Sequence, residues 1–118
     1  MKRIRLLSLP DPRYAPSDPL YEPNLVDYRV IIEQAIRIPL DRQAGASIDE
    51  MRKGIRVLDR LDAATEVLEL EDADWEFLKT KVEKMPWAQV DRRFVQFHDD
   101  VTSASDAVRE PARADGVA

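Results

Sequence analysis

The chain has 118 residues, of which 44% are apolar and 35% charged, with a formal net charge of -5 and no cysteine. That length suits one domain around one core, and that apolar fraction suits a globular chain. The composition excludes disulfides, thiolate catalysis and cysteine-ligated metal, and its negative sign opposes generic nucleic-acid binding, which works by displacing phosphate counterions with cations.

No apolar run reaches the ~20 residues that span a bilayer. The start, Met1 to Leu9, is too short in its apolar part for a secretory leader, and Pro10-Asp11-Pro12 follows at once. The expectation is a cytoplasmic chain with no membrane association.

Residues Lys2 to Leu9 alternate, with Arg3 and Arg5 on one side and Ile4 and Leu6 on the other. This period of two predicts a half-buried strand. Residues 10–23 hold five prolines. Each fixes φ and removes a donor, so the stretch predicts an extended loop, with Tyr14, Leu20 and Tyr21 as its apolar anchors. A first helix is expected from Leu25 to Ile38, capped by Asn24 and stopped by Pro39, with Val26, Val30, Ile31, Ala35 and Ile38 facing inward.

Ser47-Ile48-Asp49-Glu50 reads as a capping box in which Ser47 serves the Glu50 amide and Glu50 reaches back. Behind it, Ile48, Met51, Ile55, Leu58 and Leu61 recur at three and four, the clearest amphipathic signal in the chain, and predict the buried face of a second helix. Gly54 lies inside this helix, either tolerated there or marking a close approach. A second strand is expected from Glu66 to Glu71, with Leu68 and Leu70 inward and Glu69 and Glu71 outward. Set beside the first strand it opposes glutamate to arginine and buries Ile4, Leu6, Leu68 and Leu70 together. A third helix begins near Asp72, with Asp72, Asp74 and Glu76 complementing its dipole, a stripe of Trp75, Leu78, Val82 and Met85, and lysines toward its end before Pro86. A fourth begins near Asp91 and carries Phe94, Phe97 and Val101. The fold class expected is α+β and mainly helical, with three to four helices packed on a small two-stranded sheet. Residues 1–103 form one domain that includes the proline-rich loop, and 104–118 form a flexible tail.

Little in the chain is arranged for chemistry. The acidic run from Glu66 to Glu76 lacks the calcium-loop pattern and is explained by a strand face and a helix dipole. His98-Asp99-Asp100 would need further histidines to make a phosphohydrolase metal site, and His98 is the sole histidine. No Gly-x-Ser-x-Gly elbow accompanies it, and glycines at 45, 54 and 116 build no phosphate-binding loop. The expectation is a non-enzyme with no catalytic residue, cofactor or metal. Arg52, Arg56 and Arg60 recur at four along one helix side. They read either as a surface for nucleic acid or an acidic partner, or as a solvated face paired with neighbouring acids.

The stretches Ser47 to Asp59, Leu68 to Trp75 and Leu78-Lys79 resemble small proteins encoded by tailed bacteriophages and prophages in their virion and tail-assembly regions. The resemblance spans residues 25–101. It implies a virion accessory or a head or tail assembly factor such as a tail-assembly chaperone, working in the host cytoplasm or carried in the virion. It transfers no site residue. The physics of that role asks for exposed anchors, and Tyr14, Tyr21, Trp87, Arg52, Arg56 and Arg60 are the candidates for partner binding. Trp87 also reads as a lid on the core. The expected partner is a phage structural protein or a host protein, with nucleic acid disfavoured and a homo-oligomer compatible. Two alternatives stand beside this: a phage-encoded regulator that inhibits a host complex, and a nucleic-acid-binding regulator using the arginine face.

Overall fold

The computed structural model describes residues 1–10, 26–87 and 89–105. In chain order the elements are β1 (Lys2–Arg5), β2 (Ser8–Leu9), β3 (Val26–Asp27), α1 (Tyr28–Arg37), α2 (Ile48–Ala63), β4 (Val67–Leu70), α3 (Asp72–Glu83) and α4 (Arg92–Thr102). The protein is α+β and mainly helical, as the periodicities predict. β1 and β4 pair antiparallel with Arg3 opposite Glu69 and Ile4 opposite Leu68. Arg3 Nε meets Glu69 Oε2 at 2.9 Å on the outer face, while Ile4, Leu68 and Leu70 are buried on the inner one. Alternation alone therefore set this register, because a slip by one residue would turn the leucines outward.

The expected first strand is in fact two. β1 ends at Arg5, and Ser8–Leu9 pairs separately with Val26–Asp27 as a second antiparallel ribbon. That ribbon also moves the start of the first helix. Val26 and Asp27 are extended, and Asp27, not Asn24, is the N-cap, accepting from Arg29 N at 2.9 Å. The inward face of α1 shifts with it: Tyr28, Ile31, Ile32, Ala35 and Ile36 are buried, and Val30 points out. The end was read correctly. Ile38, ahead of Pro39, leaves the helix with ψ 124°.

α3 lies at the centre and touches α1, α2 and α4, while β4 packs on α2 and α3 and β1 on α4. Trp75, Leu78 and Val82 are buried along it. Trp75 donates from Nε1 to Val101 O at 2.8 Å, satisfying a carbonyl at the end of α4. In α4, Phe97 and Val101 are buried as expected, with Asp91 as N-cap. The ordered body runs past the expected boundary at 103: Ala104 is buried, and Arg3 N donates to Ser105 O at 2.9 Å, so these two residues are not part of a tail. Residues 106–118, and all of the proline-rich loop except Pro10, lie outside the described residues, as do Tyr14, Leu20 and Tyr21.

The largest departure is α2. Its buried residues are Gly54, Val57 and Leu61. Ile48, Met51 and Ile55 are 60%, 48% and 54% exposed, and Leu58 is only half-buried. Periodicity identified the helix and misassigned its inward face, because α2 carries two apolar faces and the stronger one faces solvent. Gly54 resolves as a close approach: a Cβ there would stand 3.0 Å from Ile36 Cγ2 of α1.

Candidate functional site

The polar side chains buried in this fold are mostly structural. Lys81 is 4% exposed. Its Nζ donates to Ile36 O at 3.2 Å and Ile38 O at 2.5 Å, at the C-terminus of α1, and to Glu50 Oε2 at 2.6 Å, in the first turn of α2. One ammonium thus joins three helices and satisfies two carbonyls that a helix end leaves open. The capping box is accordingly half made. Ser47 Oγ accepts from Glu50 N at 3.0 Å, but the Glu50 carboxylate turns to Lys81 and to Leu40 N instead of reaching back to the cap. Donation from Lys81 holds the Glu50 carboxyl below its usual 4.5, against the opposing effect of partial burial and with help from the Leu40 amide.

Two more buried links repeat this logic. Tyr28 is fully buried, donates to Asp100 Oδ2 at 2.6 Å, and stands edge-on to Phe97 with centroids 5.0 Å apart. Burial, then the neighbouring Asp100, pushes the phenol far above its usual range, so it stays protonated. Arg93 is 6% exposed, holds Asp91 with Nε and Nη2 at 3.1 and 2.7 Å, and donates to Leu9 O at 3.1 Å. It fastens the start of α4 to β2.

Apolar surface is also left over in a groove beside the start of α4. It has a volume of about 580 Å³ and is lined by Trp87, Val90, Asp91, Phe94, Val95 and His98. Trp87 stacks on Phe94 with centroids 4.7 Å apart and meets Phe97 edge-on at 6.1 Å. Its ring is half-buried against the core, and it also lines the groove. Val90 is wholly exposed and Val95 is 61% exposed. Sequence reading missed both valines. The available signal was that Val95 lies off the Phe94–Phe97–Val101 stripe, an apolar side chain with no place on the inward face.

Arg52, Arg56 and Arg60 are all exposed along one side of α2. Arg56 Nε is 3.1 Å from Asp74 Oδ1 of α3, a nearly buried carboxylate, so Arg56 is a helix-to-helix tether. Beside them, Asp49 pairs with Lys53 at 3.1 Å. His98 is half-buried, with Nδ1 3.0 Å from Asp99 Oδ1 of its own helix. Among the described residues no group of three histidines, aspartates or glutamates is placed to hold a metal ion, and no helix is long and apolar enough to cross a membrane.

The fold is thus a mainly helical α+β body whose most distinctive surface is apolar. No family model, curated protein or solved structure matches the chain.

Proposed function

We propose that this chain is a non-catalytic protein-binding component, and that its groove receives a short amphipathic segment of a partner protein presenting aliphatic or aromatic side chains. The observation that carries this reading is the exposure of Val90 and Val95 around the Trp87–Phe94 stack. Exposed apolar side chains gathered beside a stacked aromatic pair are the chemistry of a helix-in-groove anchor. The surrounding charges suit that use, since Asp91 is already held by Arg93 and adds little desolvation cost. The resemblance of residues 25–101 to small tailed-phage proteins then supports a virion accessory or head or tail assembly factor as the biological form of this binding.

The test is capture of partners by the tagged full chain during phage infection or prophage induction, compared with Val90→Asp/Val95→Asp. Both positions are exposed, so the variant is expected to melt within about 0.5 kcal/mol of the parent. The expected result is enrichment of a virion structural protein by the parent and its loss in the variant. Enrichment of one host complex instead makes the chain a regulator and overturns the assembly reading. Partners that the variant keeps overturn the groove.

A further inference from the structure

We propose that this chain carries a separate pocket for a small organic monocarboxylate, an anionic head on a short apolar body. The inference is independent of the groove at Trp87. The pocket lies where the end of α1, the loop after it and the end of α3 meet, and its volume is about 340 Å³. That is near the lower end of the ~300–1,000 Å³ of small-ligand sites, so it suits a short molecule. Ile38, Pro39, Leu40 and Met85 give it apolar walls. Leu40 is 41% exposed, aliphatic surface that the fold leaves uncovered.

What identifies the ligand is charge. Arg42, Lys81 and Lys84 line the pocket and, among the described residues, no carboxylate does. This stands out in a chain whose formal net charge is -5. Lys81 is neutralised by Glu50, and its three donors are taken. Arg42 and Lys84 are exposed, and neither side chain forms an ion pair among the described residues. Cations near helix C-termini commonly answer the helix dipole. Here other groups already serve those ends. Lys81 takes the Ile36 and Ile38 carbonyls at the end of α1, and the Lys84 and Met85 amides take the Thr80 and Val82 carbonyls of α3. Two positive charges are left for a ligand. A carboxylate suits them, because guanidinium and ammonium both make charge-assisted hydrogen bonds to it. A phosphate would ask for a helix N-terminus. No residue of α2 lines the pocket, and α1 and α3 bring their C-terminal ends, whose partial negative charge opposes a dianion more than a monoanion.

Titration of the full chain with sodium hexanoate, followed by NMR, tests this. Hexanoate is expected to bind with a Kd on the order of 1 mM, and to shift the signals of Leu40 and Met85 ahead of those of Trp87 and Val95. 1-Hexanol has the same tail without the charge and is expected to bind about tenfold more weakly or worse. Hexanoate is expected to lose a similar factor on Arg42→Gln/Lys84→Gln, a variant expected to melt with the parent because both positions are exposed. Hexanol that binds as tightly as hexanoate overturns the proposal, as does a variant that binds like the parent. No saturable shift up to about ten times the expected Kd overturns it too. Signals that move first at Trp87 and Val95 place the ligand in the groove and overturn the pocket, and hexyl phosphate binding tighter than hexanoate overturns the carboxylate assignment.

Discussion

Lys81 shows how one side chain can decide the arrangement of three helices. It lies in the last turn of α3, where the sequence reads it as one of several cations answering the helix dipole. The fold instead closes over it, and its three donors are taken by two carbonyls of α1 and the Glu50 carboxylate. Removing one partner of a buried pair strands the other, so Lys81→Ala is expected to cost about 3 kcal/mol in urea denaturation, and Lys81→Met with Glu50→Gln less than the sum of the two single changes. The pH dependence follows in sign. The folded Glu50 carboxyl lies below its usual 4.5, so its stabilisation is present above pH 4.5 and is lost as the pH falls through the folded value. Urea midpoints measured against pH are expected to show the parent's advantage over Glu50→Gln shrinking below pH 4.5. At Gly54 the opposing effects are close. Alanine would gain about 1 kcal/mol of helix propensity, but its Cβ would press on the buried Ile36 at 3.0 Å. Gly54→Ala is therefore expected to yield no net stabilisation, and Gly54→Leu to lose about 2 kcal/mol, both read from chemical denaturation.

At the scale of elements, α2 depends on its neighbours at both ends. Ser47 and the Lys81–Glu50 pair hold its start. At its end Arg29 reaches from α1 and donates to Leu61 O at 2.5 Å, Ala64 O at 2.7 Å and Thr65 O at 3.2 Å. Those carbonyls are the ones a helix C-terminus leaves open, and a guanidinium satisfies them while answering the dipole. Arg29→Ala is expected to destabilise by about 2 kcal/mol and to speed hydrogen exchange most in the last turn of α2. The outer-face pair Arg3–Glu69 contrasts with this. Both side chains are nearly half exposed, so the pair fixes register and adds under about 1 kcal/mol. Of these two links only the strand pair was legible in the sequence. Alternation placed arginine against glutamate, but nothing in the spacing joins position 29 to 61.

For the whole molecule, the telling quantity is where apolar surface is left over. The groove at Trp87 and the exposed Ile48, Met51 and Ile55 of α2 are separate leftovers, one between a loop and a helix and one along a single helix. They predict separable losses. Val90→Asp/Val95→Asp is expected to abolish partner capture, while Ile55→Asp, on the other surface, is expected to keep it, both read by capture with the tagged chain.

The sequence by itself determined what is local. It marked the ends of α1, α3 and α4 through proline and acidic caps, the capping serine of α2, the pairing of β1 with β4, and the inward stripes of α3 and α4, because each depends on residues a few positions apart or on simple alternation. Only the tertiary structure decided which of the two apolar faces of α2 is buried, that Ser8–Leu9 pairs with Val26–Asp27 and so delays α1, and that Lys81, Asp74 and Arg93 lie inside. Periodicity reports that a helix has an apolar face, but which face turns inward depends on what packs against it. Gly54 admits Ile36 on one side of α2, and that close approach, written in two distant parts of the chain, turns Ile48, Met51 and Ile55 toward solvent.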